Sequence, residues 1–147
     1  MATLRKRIGK WTVEIRRKGH RKIYATFLSK SDARGFINKT ESDIEQKKYK
    51  DTSEAANTTF KVALHRYVRE KIENKKDKQR ERSKLNVILR HHIVKHNLSE
   101  LKTSDFAKYR DDRVKDGVTN STINRELSAM RVAIQTSIDE WDCWIPE

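Results

Sequence analysis

Gly9-Lys10-Trp11-Thr12-Val13-Glu14-Ile15-Arg16-Arg17-Lys18-Gly19-His20-Arg21-Lys22-Ile23-Tyr24-Ala25-Thr26-Phe27 alternates apolar and polar side chains on either side of a glycine. Successive strand residues point to opposite faces, so Trp11, Val13 and Ile15 share one side and Thr12, Glu14 and Arg16 the other. Ile23, Ala25 and Phe27 oppose Lys22, Tyr24 and Thr26 in the same way. The intervening Arg17-Lys18-Gly19-His20 holds a glycine that supplies the positive φ a short hairpin needs. Upstream, Leu4 and Ile8 flank a basic run, and Gly9 turns that segment into the next strand. The pattern predicts a three-stranded antiparallel meander with one apolar face, which is too small to stand alone. Its cover follows directly. Ser29, with Asp32 three residues on, resembles a capping box with Asp in place of Glu or Gln. Ala33, Phe36, Ile37, Thr40 and Ile44 then recur at helical spacing. A helix over about 30–46 is therefore expected to pack on Trp11, Val13, Ile15, Ile23 and Phe27, giving an α+β domain of residues 1–50.

Beyond it the strand pattern disappears. Residues 47–59 are polar with no sustained apolar period, and 51–58 read as an interdomain linker with some helical tendency. From residue 59 the apolar stripes are helical. Thr59 caps a helix with Phe60, Ala63, Leu64, Tyr67, Val68 and Ile72 inward. The charged stretch Glu73 to Lys84 leads into Leu85, Ile88, Leu89 and Ile93, and Leu98 and Leu101 pin a short connection. Thr103 is expected to cap a third helix with Phe106, Tyr109 and Val114 inward, ended by Gly117 in a left-handed conformation. Thr119 caps the longest, with Ile123, Leu127, Met130, Ile134, Ile138 and Trp141 on one face and Pro146 beyond its end. Residues 59–147 thus read as an all-α domain of four helices.

The composition sets the class of partner. The chain has 147 residues, with 34 Lys and Arg against 21 Asp and Glu, a formal charge of +13. Leu, Ile, Val and Phe make up about 22% of it, just above the roughly 20% below which chains stay disordered. Regular spacing of those residues, with one Pro and four Gly, favours folded domains. The first 50 residues carry a balance of +10, and within 1–28 Glu14 is the only acid. Such a segment concentrates polyanions, and nucleic-acid phosphates are the densest anionic array in a cell. A merely solvated basic surface is the bland alternative. One cysteine, Cys143, excludes an internal disulfide framework and fits a reducing compartment. No apolar run approaches the ~20 residues that span a bilayer, and no signal-peptide pattern opens the chain. A cytoplasmic protein without a membrane partner is expected, nucleoid-associated when bound to DNA.

Packing of the helix on the apolar sheet face leaves Arg5, Arg7, Thr12, Arg16, Lys22, Tyr24 and Thr26 for the open one. A small ribbon fits the major groove, where Arg and Lys read guanine edges and Thr touches thymine methyls. Periodicity alone does not separate this from the wet side of a half-buried sheet. In the helical half, Lys78, Arg80, Lys84, Arg90 and His91 lie along or before the second helix, and Asn120, Ser121, Asn124 and Arg125 crowd the start of the fourth. A helix N-terminus attracts phosphate through its free N–H groups, and Asn or Arg beside it adds groove contacts; an ordinary solvated helix face is the competing reading. Catalytic and cofactor chemistry is not signalled. His92 and His96 are four apart without the Glu of a zinc-protease pair. Cys143 has no signature around it, and neither a Gly-rich phosphate loop nor a Gly-x-Ser-x-Gly elbow occurs. No metal or other cofactor is expected.

In order and spacing these pieces resemble the front half of a phage-type integrase of the tyrosine recombinase family. Gly9 to His20 followed by Lys22 to Phe27 resembles its arm-type DNA-binding domain, and Leu28 to Ala33 the start of that domain's helix. Thr59 to Tyr67 is similar to the opening of the core-binding domain, Thr103 to Asp111 to its third helix, Thr119 to Met130 to its fourth, and Glu140 to Glu147 to the exit toward the catalytic domain. The resemblance implies a sheet domain gripping arm sites and a helical domain clamping the core site, with double-stranded attachment-site DNA and other integrase protomers as partners. It also implies a nucleophilic Tyr and a His-x-x-Arg motif in the whole enzyme. No His here is followed three residues later by Arg, and Tyr24, Tyr49, Tyr67 and Tyr109 fall in segments that match DNA-binding domains. The expectation is a truncated chain or a naturally short protein that holds DNA without cleaving it. A stand-alone DNA-binding regulator derived from an integrase, a basic RNA-binding protein and a helical protein-interaction module are the alternatives.

Overall fold

Ile8 and Gly9 reverse the chain with φ of +48° and +75°, the two positive values of a type I′ hairpin turn. Their flanks pair directly, Arg7 with Lys10. The computed structural model describes residues 1–145. Strand β1 (Ala2–Arg7) pairs antiparallel with β2 (Lys10–Ile15), and β2 with β3 (Ile23–Phe27), in the order β1-β2-β3. A second turn closes β2 onto β3 through the His20 N–H, which donates to the Arg17 carbonyl at 3.2 Å, with Gly19 at φ +85°. On the apolar face Val13 and Ile15 are fully buried, and Leu4, Trp11, Ile23 and Phe27 pack around them.

Helix α1 (Lys30–Glu45) covers that face through buried Ala33 and half-buried Phe36 and Ile37. The Phe27 and Phe36 rings lie 5.2 Å apart. Ser29 caps the helix by accepting from Ser31 N–H at 3.1 Å, one residue earlier than the capping-box spacing with Asp32 expects. At the other end Lys47 enters the left-handed region at φ +57°, and the Lys47 and Lys48 amides return to the Ile44 and Asp43 carbonyls. Those two bonds form a Schellman closure on a residue other than glycine.

The chain forms two compact units, Met1–Lys50 and Asp51–Glu147. In the second, the stretch expected as a linker carries a short helix, α2 (Ser53–Asn57), whose Ala55 is buried in the helical core. Thr59 then caps α3 (Phe60–Tyr67) by accepting from Val62 N–H, and a single wide π-turn, Val68–Ile72, continues it. Helix α4 (Lys78–Leu89) begins inside the charged stretch, and two 3₁₀ turns, His92–Lys95 and Leu98–Glu100, lead to α5 (Thr103–Lys115) and α6 (Asn120–Trp141). The unit's core gathers Phe60, Leu64, Leu85, Ile88, Leu98, Tyr109 and Met130. The fold is thus a small α+β unit followed by a helical one with four principal helices.

Three local expectations shift. Helix α4 does not reach Ile93: His91 turns extended and its Nδ1 accepts from Ile93 N–H at 3.1 Å, starting a 3₁₀ turn instead. The N-cap of α5 is Lys102, because the Asp105 carboxylate accepts from Lys102 N–H at 2.8 Å and draws the start back one residue from Thr103. Val114, expected inward, is exposed. It lies about 140° around the helix from Tyr109, whereas Arg113 lies within about 40° of it and continues the inward stripe. Gly117 closes α5 as expected, at φ +77°, with its amide on the Val114 carbonyl and that of Val118 on the Arg113 carbonyl. Of the exit segment, residues 146–147 lie outside the described residues.

Two substitutions test this framework in urea unfolding monitored by helical circular dichroism. Leu64→Ala empties a fully buried site and is expected to lower stability by about 2–5 kcal/mol. Gly117→Ala places a Cβ on a left-handed backbone and is expected to lower it by about 1 kcal/mol.

Candidate nucleic-acid interface

Directly opposed strand residues share a face, and the register builds two rows across the open side of the sheet. One row is Arg5, Thr12 and Thr26; the other is Thr3, Glu14 and Tyr24. Arg7 continues the same side of β1. Thr3, Arg5, Arg7, Thr12, Glu14 and Tyr24, with Lys6, line a shallow hollow of about 270 Å³. Arg5, Arg7, Tyr24 and Thr26 are exposed and Thr12 is half-buried. Lys22 is exposed in the loop before β3 rather than on a strand.

Within these rows the sequence did not foresee the role of Glu14. Its Oε1 accepts from Arg16 Nε at 2.7 Å and from the Tyr24 hydroxyl at 3.1 Å. The Arg16 hydrogen bond is the main reason the Glu14 carboxyl sits below its ordinary range, and the bond to Glu14 in turn raises the Tyr24 phenol. Arg16 and Tyr24 therefore reach the open face as a charge-neutralised trio rather than as an independent cation and ring. A signal was present: in an antiparallel pair Glu14 and Tyr24 fall opposite each other once the hairpin register is set. Arg17, on the loop, is tied to Glu41 and Glu45 of α1.

In the helical unit, α4 and the first half of α6 border a groove of about 720 Å³. Lys84 stands on one side with Lys75, and Ser121, Asn124 and Arg125 stand on the other; Tyr67 and Ala129 also line it. An adjoining hollow of about 590 Å³ shares Lys84, Glu81 and Arg125 and adds Arg80 and Thr122. Lys84 is paired with Glu81 at 2.9 Å. Of the nine helical residues singled out from the sequence, the structure gathers Arg80, Lys84, Ser121, Asn124 and Arg125 along these two depressions. Asn120 and Arg90, both exposed, line neither depression. Lys75, remote from the α6 residues in sequence, joins them only through the fold.

The carboxylate that sets α6 against α5 is buried. Glu126 Oε1 and Oε2 accept from Arg113 Nη2 at 2.8 Å and Nε at 3.0 Å, and Oε2 also accepts from the Tyr109 hydroxyl at 2.8 Å. Burial pushes the Glu126 carboxyl up, but the bonds from Arg113 and Tyr109 and the Arg113 charge outweigh it, so it stays below the glutamate range. Burial, followed by the bond to Glu126, raises the Tyr109 phenol strongly.

The His92–His96 pairing does not form on a helix face, because both residues sit on a 3₁₀ turn that His96 ends. Instead His91, His92 and Asp112 bring potential ligand atoms within 4.8 Å of one another. Their chemistry does not suit a cation. His91 Nδ1 is engaged as acceptor from Ile93 N–H, which places the ring proton on Nε2, and that atom lies 3.1 Å from Asp112 Oδ2. Ligation through Nε2 would have to displace that proton and its partner. Cys143 is buried, and burial raises its thiol, the opposite of an activated nucleophile.

The family model described as the phage integrase N-terminal domain matches residues 56–145, and the chain belongs to that family. A Haemophilus influenzae protein provisionally named integrase/recombinase is 30% identical over 142 residues, covering 97% of this chain and 37% of the relative. The chain therefore spans little more than a third of that relative's length. The family match lies in the helical unit, whereas the relative extends over both. No solved structure is significantly similar. Among the described residues, no helix is long and apolar enough to cross a membrane.

Because the folded-state pKa of Glu126 is depressed, the unfolded chain takes up its proton first on acidification. The stability this group contributes is complete above its ordinary value of 4.5 and is lost as pH falls through the folded value. Glu126→Gln should flatten the acid limb of a stability-versus-pH curve measured by urea unfolding. Glu126→Ala, which strands Arg113 and the Tyr109 hydroxyl, should cost about 3–5 kcal/mol at neutral pH.

Proposed function

We propose that the chain is the DNA-gripping portion of a site-specific integrase of the tyrosine recombinase class, with the sheet unit on arm-type sites and the helical unit on the core site. The observation that carries this reading is the row Arg5, Thr12, Thr26, with Arg7 beside it, on the wet side of a ribbon of groove-fitting size. Arg5 and Arg7 supply charge and bidentate donors for guanine edges, and the threonines supply methyl groups. In the helical unit, Lys75, Lys84 and Arg125 offer cations on both banks of one groove, while Asn124 and Ser121 at the start of α6 offer neutral donors. That is the division expected of phosphate positioning with local groove contacts. Glu14 lowers the affinity of the sheet face for bare phosphate and so favours a matched base sequence over any duplex.

Strand cleavage is not assigned to these tyrosines. Tyr67 and Tyr109 are buried, Tyr109 is held on a carboxylate, and Tyr24 is hydrogen-bonded to Glu14. The partners in this reading are duplex attachment-site DNA and further integrase protomers, with the complex on the cytoplasmic nucleoid.

Binding of the full chain to a duplex selected from a random pool, measured by fluorescence anisotropy between 50 and 200 mM salt, tests the proposal. Neutralisation of six phosphates would weaken binding about a thousandfold over that range. Arg5→Ala should cost about 1–3 kcal/mol on the selected duplex and less on a scrambled one. Lys84→Ala combined with Arg125→Ala should lower the logarithmic salt slope by about two on both. Equal or tighter binding to a structured RNA, or no recovery of a preferred duplex, would overturn the reading.

A further inference from the structure

The tip of the β1–β2 hairpin is built from a residue that the turn does not want. A two-residue type I′ turn favours Asn-Gly, because both positions need positive φ. Gly9 satisfies its half, but the first position is Ile8, a β-branched residue held at φ +48°. That conformation is a steric outlier for such a side chain. The same residue is 92% exposed, the highest value among the large apolar side chains of the described residues. Strain and solvation thus both argue for Asn at this position, and neither the sheet's register nor its core calls for Ile. Outliers held against local preference concentrate where a ligand is met.

The surroundings specify the ligand. Arg5, Lys6 and Arg7 precede the tip and Lys10 follows it, with no acid between Met1 and Glu14. The tip ends the face that carries Arg5, Thr12 and Thr26. An apolar group set among cations at the end of such a ribbon suits a surface with phosphate on its rim and hydrocarbon in its floor. The major groove is such a surface, and its hydrocarbon is the C5-methyl of thymine.

We propose that Ile8 is a specificity-determining DNA contact, seated against thymine methyl groups in the major groove. This rests on the reading of the open sheet face as a DNA surface. Turn stability and DNA affinity are then opposed at one side chain: the residue that relaxes the turn removes the contact.

The test uses the full chain with two 30-base-pair duplexes made only of A·T pairs, one with thymine and the other with deoxyuridine, which lacks the methyl. Every register of the first presents methyl groups, so the unknown target sequence does not matter. Wild type should prefer the thymine duplex by about fourfold, the worth of one buried methyl-sized group. Ile8→Asn should melt at or above the wild-type temperature, bind the thymine duplex about tenfold more weakly, and keep only the smaller thymine preference that Thr12 and Thr26 supply. Undiminished binding by Ile8→Asn, or the same thymine preference in both proteins, would overturn the proposal. Arg5→Ala with Arg7→Ala serves as the separate control. If that double variant also binds as tightly as wild type, the sheet-face reading itself fails and takes this inference with it.

Discussion

Glu126 is the group on which the helical unit turns. A carboxylate 3% exposed is costly to bury unless its lone pairs are filled, and here the Arg113 fork and the Tyr109 hydroxyl fill them. Both donors lie on α5 and the acceptor on α6, so the interaction fixes how these helices face each other. The consequence reaches the surface. With Glu126 and Ile123 turned inward, Ser121, Asn124 and Arg125 on the same helix are turned outward. The groove that α6 shares with α4 inherits its polar bank from that choice.

The sheet unit solves the opposite problem. Its core is small, with Val13, Ile15 and Ala33 fully buried, so little packing energy is available to discipline its surface. Register comes from the period of two: a slip by one residue would turn Val13 and Ile15 to water and Thr12 and Glu14 to α1. The charges on the open side are solvated, and an exposed pair such as Glu14 with Arg16 contributes little to stability. What it changes is the electrostatic character of the face, where one acid moderates a strongly basic surface. A buried ion pair therefore shapes the helical unit, whereas an exposed one tunes the sheet unit's potential.

Much of this was legible in local pattern. The alternation from Trp11 to Phe27 carried the meander and its inward face, and the stripe from Ala33 carried the covering helix. Thr59, Thr119 and Gly117 announced helix ends because caps answer to a few residues of chemistry. The failures share a cause. Val114 looked like core because it is apolar, yet the inward position went to a charged residue whose partner lies on another helix. His91 ended α4 early through a side-chain bond to its own backbone that no periodicity reports. The polar stretch 51–58 read as linker because one buried residue, Ala55, gives no stripe.

By itself the sequence determined the three strands and the main helices, the concentration of charge in the first fifty residues and the family. These depend on neighbours along the chain, on composition and on ordered motifs. Only the tertiary structure decided which polar groups meet, Glu126 with Arg113 and Glu14 with Tyr24, and which line one groove, Lys75 and Lys84 with Asn124 and Arg125. The physical reason is that hydrogen bonds and ion pairs act over a few ångströms in space. Residues far apart in sequence come within that range only when helix crossings and strand register bring them there.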